Sequence, residues 1–156
     1  MSVFPHLFEP IKIGRMTIKN RLFIPGHNTA LSDKGLVSDE MVAYHEARAE
    51  AGVGLITMEV STVHPTYMPY GRLSVVTDEC IPGIKRMAEM GARHDCKVIG
   101  QLFHPGRVAA ASEDGSHMAS YAPSEVADEF YKNIPVPLST SQIWDIIAHY
   151  GAGAAL

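Results

Sequence analysis

What most constrains this chain is a set of three short apolar runs, RLFIP (21–25), GLITMEV (54–60) and VIGQLF (98–103). Each is too short for a helix and too continuously apolar for a strand with one wet face. Such runs fit strands buried on both faces, as in a parallel sheet. The Pro105-Gly106 pair ends the third run sharply. The second run carries one charge, Glu59, and the third one polar residue, Gln101, close to its carboxyl end. That end is where parallel α/β folds place ligand contacts. Gln101 therefore reads either as a satisfied amide in a core strand or as a two-sided hydrogen-bonding group for a ligand.

Helical patterns fill the gaps. Ser38 stands as an N-cap, Asp39 and Glu40 put negative charge on the first turn, and Gly52 stands at the C′ position of the first helix. A second helix spans 81–95, with Pro82 in its first turn and Ile84, Met87, Ala88 and Gly91 at helical spacing. Ser139-Thr140-Ser141 cap a third, striped by Ile143, Trp144, Ile146, Ile147 and Tyr150. Residues 61–78 and 108–138 read as long loops. Ahead of all this, FEPIKIGRMTIKN (8–20) alternates around Gly14-Arg15, which fits a type II′ hairpin with Ile11, Ile13, Met16 and Ile18 on its apolar face. The hairpin reads as a lid on the base of the main architecture.

Strand and helix thus alternate three times, and the longer loops follow strands. The alternation implies a parallel sheet. Loops elaborated at the carboxyl ends of strands are what an α/β barrel uses for function. The fold class is α/β: about three βα units, with a leading hairpin, from the N-terminal portion of a TIM (β/α)8 barrel. A closed barrel takes eight units and about 250 residues, against 156 here. Three strands alone leave both edges unpaired, and the sequence stops within a helix at GAGAAL without a cap. The expectation is a truncated piece, residues 1–156 forming part of one barrel domain with no second domain in the chain.

Hydrophobic residues make up 46% and charged residues 19%, with a net charge of −4 and scattered basic residues. That balance indicates a globular chain and argues against nucleic acid or an anionic membrane surface as partners. The sequence has no run of 18 apolar residues and no basic-then-apolar leader. Cys80 and Cys96 lack metal-like spacing, so the expected setting is the cytoplasm and the expected partner a small-molecule substrate. Association as a homo-oligomer is one way to cover open sheet edges.

Three segments, LFEPIKIGRMTIKNRLFIPGHNT (7–29), YHEARAEAGVGLITMEVSTVHP (44–65) and IGQLFHPGR (99–107), followed by YAPSEV (121–126), together resemble the flavin-dependent Old Yellow Enzyme family. Its 2,4-dienoyl-CoA reductase and trimethylamine dehydrogenase branches are included in the resemblance. The Gln-Leu-x-His-x-Gly-Arg motif at 101–107 is the most specific part. The resemblance implies an eight-stranded barrel that binds FMN at the carboxyl ends of its strands, takes hydride from NAD(P)H and passes it to an activated alkene. An amine dehydrogenase that oxidises an N-methyl carbon is the alternative within the family.

The resemblance further implies that Pro25, Gly26 and His27 pass along the isoalloxazine through main-chain contacts. It places Val60 on the pyrimidine side and Gln101 at the flavin's polar edge, where a fixed amide donor stabilises the charge of the reduced ring. His27 cannot form the thioether that a cysteine makes in the amine dehydrogenase branch, so the implied FMN is non-covalent. Thr29 stands where some members place a substrate-facing tyrosine. The histidine–histidine or histidine–asparagine pair that binds the substrate's carbonyl, with most of the phosphate site, belongs beyond residue 156, so no catalytic residue is assigned. Iron–sulfur clusters and FAD belong to longer relatives with further domains.

Two other classes stay open. His27, Glu59 and His104 could converge as ligands of a metal-dependent barrel hydrolase, and the chain alone could be a non-catalytic half-barrel. Glu59 reads as a buried partner of Arg107 or Arg21 in preference to a general base. His104 and Arg107 read as shaping the loop after the third strand, and His27 as either a flavin or substrate contact or a solvated turn residue. Tyr67, Met68 and Tyr70 line a substrate entrance or sit on a solvated loop. Cys80 and Cys96 read as inert thiols.

Overall fold

The computed structural model describes residues 4–67, 71–109 and 118–156. It opens with a hairpin of β1 (Ile11–Ile13) and β2 (Met16–Ile18). Ile13 pairs with Met16 across the two-residue turn, and Gly14 has φ of 56° while Arg15 stays negative. That is the dihedral demand of a type II′ turn at its first position. Ile18 is buried, and together with Asn20 it leaves no room for a Cβ at Gly54. Asn20 Nδ2 donates to the Gly52 carbonyl at 2.8 Å, and Lys19 Nζ to the His94 carbonyl at 2.6 Å. The hairpin is thereby tied to the amino ends of the strands that follow.

The chain continues through β3 (Phe23–Ile24), α1 (Asp39–Glu50), β4 (Leu55–Thr62), β5 (Leu73–Ser74), α2 (Ile81–Arg93), β6 (Lys97–Phe103), β7 (Tyr121–Ala122), β8 (Val136–Pro137) and α3 (Thr140–Ala155). β3, β4 and β6 lie side by side and parallel, in sequence order, and β5 joins the β3 edge beyond that strand's tip. Local chemistry sets the helix ends. Ser38 Oγ accepts from Met41 N–H at 3.0 Å, and Gly52 takes φ of 99° just past α1. Ser139 and Gln142 form a reciprocal capping box on α3, a feature the sequence reading did not pick out.

The main core packs α1 and α2 onto the sheet through Met41, Ala49, Ile56, Met58, Met87 and Met90. A smaller cluster of Val63, Val75 and Cys80 meets Leu102 and Tyr150 beneath α3. Several sequence expectations change here. On α2 the buried positions are Met87, Met90 and Gly91, while Ala88 is exposed. On α3 only part of the predicted stripe is used, with Trp144 65% and Ile147 50% exposed. β4 runs through Ser61 and Thr62, which pair with Leu102 and Phe103. The polar side chains of those two residues hide a strand whose backbone pairing continues. Val63, His64 and Tyr67 beyond it are buried, so this part of the 61–78 stretch is not a solvated loop. The 108–138 connection holds the short parallel pair β7–β8.

Gly91 gives a stability prediction. A Cβ there would lie 2.5 Å from the Cys96 carbonyl oxygen and 2.6 Å from Val98 Cγ2. Overpacking against backbone typically costs about 1–3 kcal/mol, and alanine returns about 1 kcal/mol of helix propensity. Gly91→Ala is expected to lower the urea-unfolding free energy by about 1 kcal/mol. Gly100→Ala, whose Cβ would meet nothing within 4 Å, serves as the neutral comparison.

Candidate functional site

Strand alternation separates two faces of the sheet. Along β6, Val98, Gly100 and Leu102 face α2 and α3 and line, with Met58, Ile84 and Gly153, an apolar hollow of about 330 Å³. Ile99 and Gln101 turn to the opposite face, and both are exposed there. Phe23, on β3 at the far side of β4, is also exposed, at 53%. In a closed barrel such a face is the packed interior, and its carboxyl end is the functional end.

At that end the strand tips meet. Val60 and Gln101 are direct partners in the β4–β6 register. A Cβ on Gly26 would overlap the Gln101 amide oxygen and lie 3.1 Å from the Met58 carbonyl oxygen. The backbone leaving β3 thus passes against Gln101 so closely that a side chain at residue 26 would push the Gln101 amide aside. Gln101's own amide makes no hydrogen bond with another described residue. Pro25 and His27 flank Gly26, both exposed.

A register shift between Thr57 and Val60 places one extra residue in β4 opposite β6. Bulges of this kind re-aim side chains beside functional sites. Here the bulge keeps Val60 opposite Gln101 while Glu59 is fully buried, its Oε2 accepting from Thr29 N–H at 2.5 Å and from the Thr29 hydroxyl at 2.6 Å. Glu59 therefore forms no ion pair with Arg107 or Arg21, contrary to the sequence expectation. Arg21 is exposed, and Arg107 donates to the Ala127 carbonyl at 3.5 Å. The carboxylate instead clamps the segment after β3 to β4, and its Oε1 is buried without a partner.

His27 Nε2 lies 2.7 Å from Tyr44 Oη, and the Arg48 guanidinium sits 3.4 Å over the Tyr44 ring. The sequence reading missed Tyr44 as a partner, although Tyr44 and Arg48 stand at the i,i+4 spacing that puts two side chains on one helix face. His45 is buried, with neither ring nitrogen hydrogen-bonded. Burial first, then the charges of Arg48 and His27, lowers its pKa to about 4. His104 Nδ1 accepts from Gly106 N–H at 3.2 Å, shaping the turn after β6. Burial, and His64 beside it, hold the His104 imidazole below its ordinary pKa.

His27, Glu59 and His104 are thus separately engaged. The group of three donors that the described residues do bring together is His64, Asp145 and His149, which removes the ligand set considered for a hydrolase. Tyr67 is buried, its ring edge-on to Phe103 at 6.2 Å, while Met68 and Tyr70 lie outside the described residues.

A family model described as the NADH:flavin oxidoreductase / NADH oxidase family matches residues 6–156. The chain belongs to this family. Among its relatives in this family, the NADH oxidase of Thermoanaerobacter brockii is 32% identical over 96% of the chain and 23% of that protein. The NADPH dehydrogenase of Bacillus subtilis (strain 168) is 31% identical, covering 96% of this chain and 44% of its own length. The crystal structure of Old Yellow Enzyme from Pichia sp. AKU4542 shares the fold, with a TM-score of 0.82 at 24% identity over 96% of this chain and 42% of that one. The three parallel strands are therefore the N-terminal part of a TIM barrel, and the chain spans less than half the length of each relative. No helix among the described residues is long and apolar enough to cross a membrane.

Proposed function

We propose that this chain supplies one wall of the flavin site of an FMN-dependent NAD(P)H oxidoreductase, within a single FMN-binding barrel domain that includes residues 1–156. The observation that carries this reading is the meeting of Gly26, Val60 and Gln101 at the carboxyl end of three adjacent parallel strands. The residues fit the group. A flat ring needs a close, side-chain-free backbone, which Gly26 provides, and its polar edge needs a neutral donor, which the Gln101 amide, without a partner among the described residues, provides. When bound, FMN would supply two-electron chemistry, hydride from a nicotinamide passing to an activated alkene.

The chain's own residues do the holding. Gln101 would donate through Nε2 to the ring's polar edge, with the backbone at Pro25, Gly26 and His27 and the side chain of Val60 as the other residues that would hold the ring. Tyr44 orients His27 through the 2.7 Å contact. His27 cannot form the thioether that a cysteine makes in the amine dehydrogenase branch, and the proposed FMN is non-covalent. Relatives named NADH oxidase and NADPH dehydrogenase support a nicotinamide reductant of either kind. We place any iron–sulfur cluster or FAD outside residues 1–156, whose two cysteines are free and buried in different clusters. Such thiols support a reducing, cytoplasmic setting. A homo-oligomer is the proposed assembly.

Titration with FMN, followed by absorbance and flavin fluorescence, tests this reading. A hydrogen bond between the neutral amide and the oxidised, neutral ring contributes about 0.5–1.5 kcal/mol, so Gln101→Ala is expected to weaken FMN binding by about two- to tenfold. Gly26→Ala should weaken it similarly, because its Cβ displaces the amide, while the melting temperature changes little. Equal affinity in wild type and Gln101→Ala overturns the assignment.

A further inference from the structure

A second donor cluster lies where the end of β4 meets α3, and it includes none of the residues assigned above to the flavin wall. His64 follows β4 directly and is buried, whereas Asp145 and His149 stand four residues apart on one face of α3. His64 Nε2 lies 2.9 Å from Asp145 Oδ2, and the His64 and His149 rings are 4.5 Å apart between centroids. One nitrogen of each histidine and one oxygen of the carboxylate all lie within 4.8 Å of one another.

We propose that His64, Asp145 and His149 form a binding site for a divalent transition-metal ion of the zinc class. Two imidazoles and a carboxylate are the donor set of three-ligand zinc sites that keep a fourth position for water. Bonds of about 2.0–2.2 Å to a tetrahedral ion put its donors about 3.3 Å apart. The 2.9 Å and sub-4.8 Å separations here need only rotamer adjustment, and Asp145 and His149 sit on the accessible side where that costs least.

Supporting contacts are also in place. His64 Nδ1 lies 2.7 Å from Thr66 Oγ1 and accepts from Thr66 N–H at 3.3 Å, and His149 Nδ1 lies 2.9 Å from the Asp145 carbonyl oxygen. Such outer contacts hold the imidazole rings in place. His104 adds an independent pointer. Its ring stands 6.0 Å from that of His64, and its Nε2 is buried without a hydrogen-bond partner. With Nδ1 accepting from Gly106, that nitrogen carries a proton, and a water in the fourth coordination position would accept it. Binding replaces the His64–Asp145 hydrogen bond and joins the end of β4 to α3 through the ion; the neutral ring keeps one proton, which moves from Nε2 to Nδ1, where the Thr66 hydroxyl accepts it.

Zn²⁺ and Co²⁺ titrations of the metal-stripped protein test the proposal. The expected result is one saturating equivalent of Zn²⁺ by calorimetry, and tetrahedral d–d absorption with Co²⁺. Asp145→Asn and His149→Gln, both at accessible positions, should each lower the affinity at least about tenfold with unchanged circular dichroism. His6→Ala, at a distant exposed histidine, should not. Absence of saturable Zn²⁺ binding, or binding that survives His64→Ala combined with His149→Gln, overturns the site and leaves a simple hydrogen-bonded clamp.

Discussion

Replacing Glu59 with alanine is expected to destabilise the protein by about 3 kcal/mol and to loosen the candidate flavin wall at the same time. The side chain is fully buried, and one of its oxygens is the acceptor for both the backbone N–H and the hydroxyl of Thr29. Truncation strands two donors, each costing about 1–3 kcal/mol when left unsatisfied, and opens a cavity. The half-buried position of Thr29 lets water recover part of that loss. Glu59→Gln keeps one oxygen in the accepting position and nearly the same volume. Its amide nitrogen falls where Oε1 has no partner, so the expected cost is about 1 kcal/mol. Urea unfolding of the two variants checks the ordering. If glutamine costs as much as alanine, it is the charge that holds Thr29, and hydrogen-bond geometry is not the cause. FMN affinity should fall with Glu59→Ala, because the segment carrying Gly26 and His27 is anchored through Thr29.

That anchor also shows where sequence reasoning stops. Parallel strands were legible because an apolar run of strand length between helical patterns has few other readings, but burial on both faces holds only for β4, since Phe23, Ile99 and Gln101 are exposed. Ser38, Gly52 and the Gly14-Arg15 turn were legible because caps and tight turns are chosen by chemistry within a few residues. The bulge at Met58 and Glu59 was not. Nothing in GLITMEV says that one residue is unpaired, and without the bulge Glu59 seemed to require an arginine. The contacts of His27 with Tyr44, 17 residues on, and of His64 with Asp145, 81 residues on, lie outside any periodicity. Position along strands was readable in this chain, whereas the pairing of polar side chains across elements had to come from coordinates. The juxtaposition of Gly26, Val60 and Gln101 lies between these cases. Strand order follows from alternation, but the overlap of a Gly26 Cβ with the Gln101 amide does not.

Acid should weaken the fold in a defined window because of His45. Its buried ring, with no partner at either nitrogen, has a pKa lowered to about 4, against about 6.5 in an unfolded chain. Between those values the unfolded state binds a proton that the folded state does not, so stability is full above about pH 6.5 and falls as pH drops toward about 4. From about pH 7.5 to about pH 5 the loss attributable to this residue is about 2 kcal/mol. His104, shifted in the same direction by burial, adds to the slope. The carboxylates of Glu46 and Asp145, held low mainly by hydrogen bonds from Arg93 and from His64 respectively, contribute only at lower pH. His45→Leu removes the titrating group and two unsatisfied nitrogens while keeping an apolar side chain against Tyr44. Its urea midpoint should therefore be higher than wild type at about pH 5 and should change less than half as much between the two pH values. An unchanged pH dependence in His45→Leu would mean that another group, most directly His104, carries the acid sensitivity.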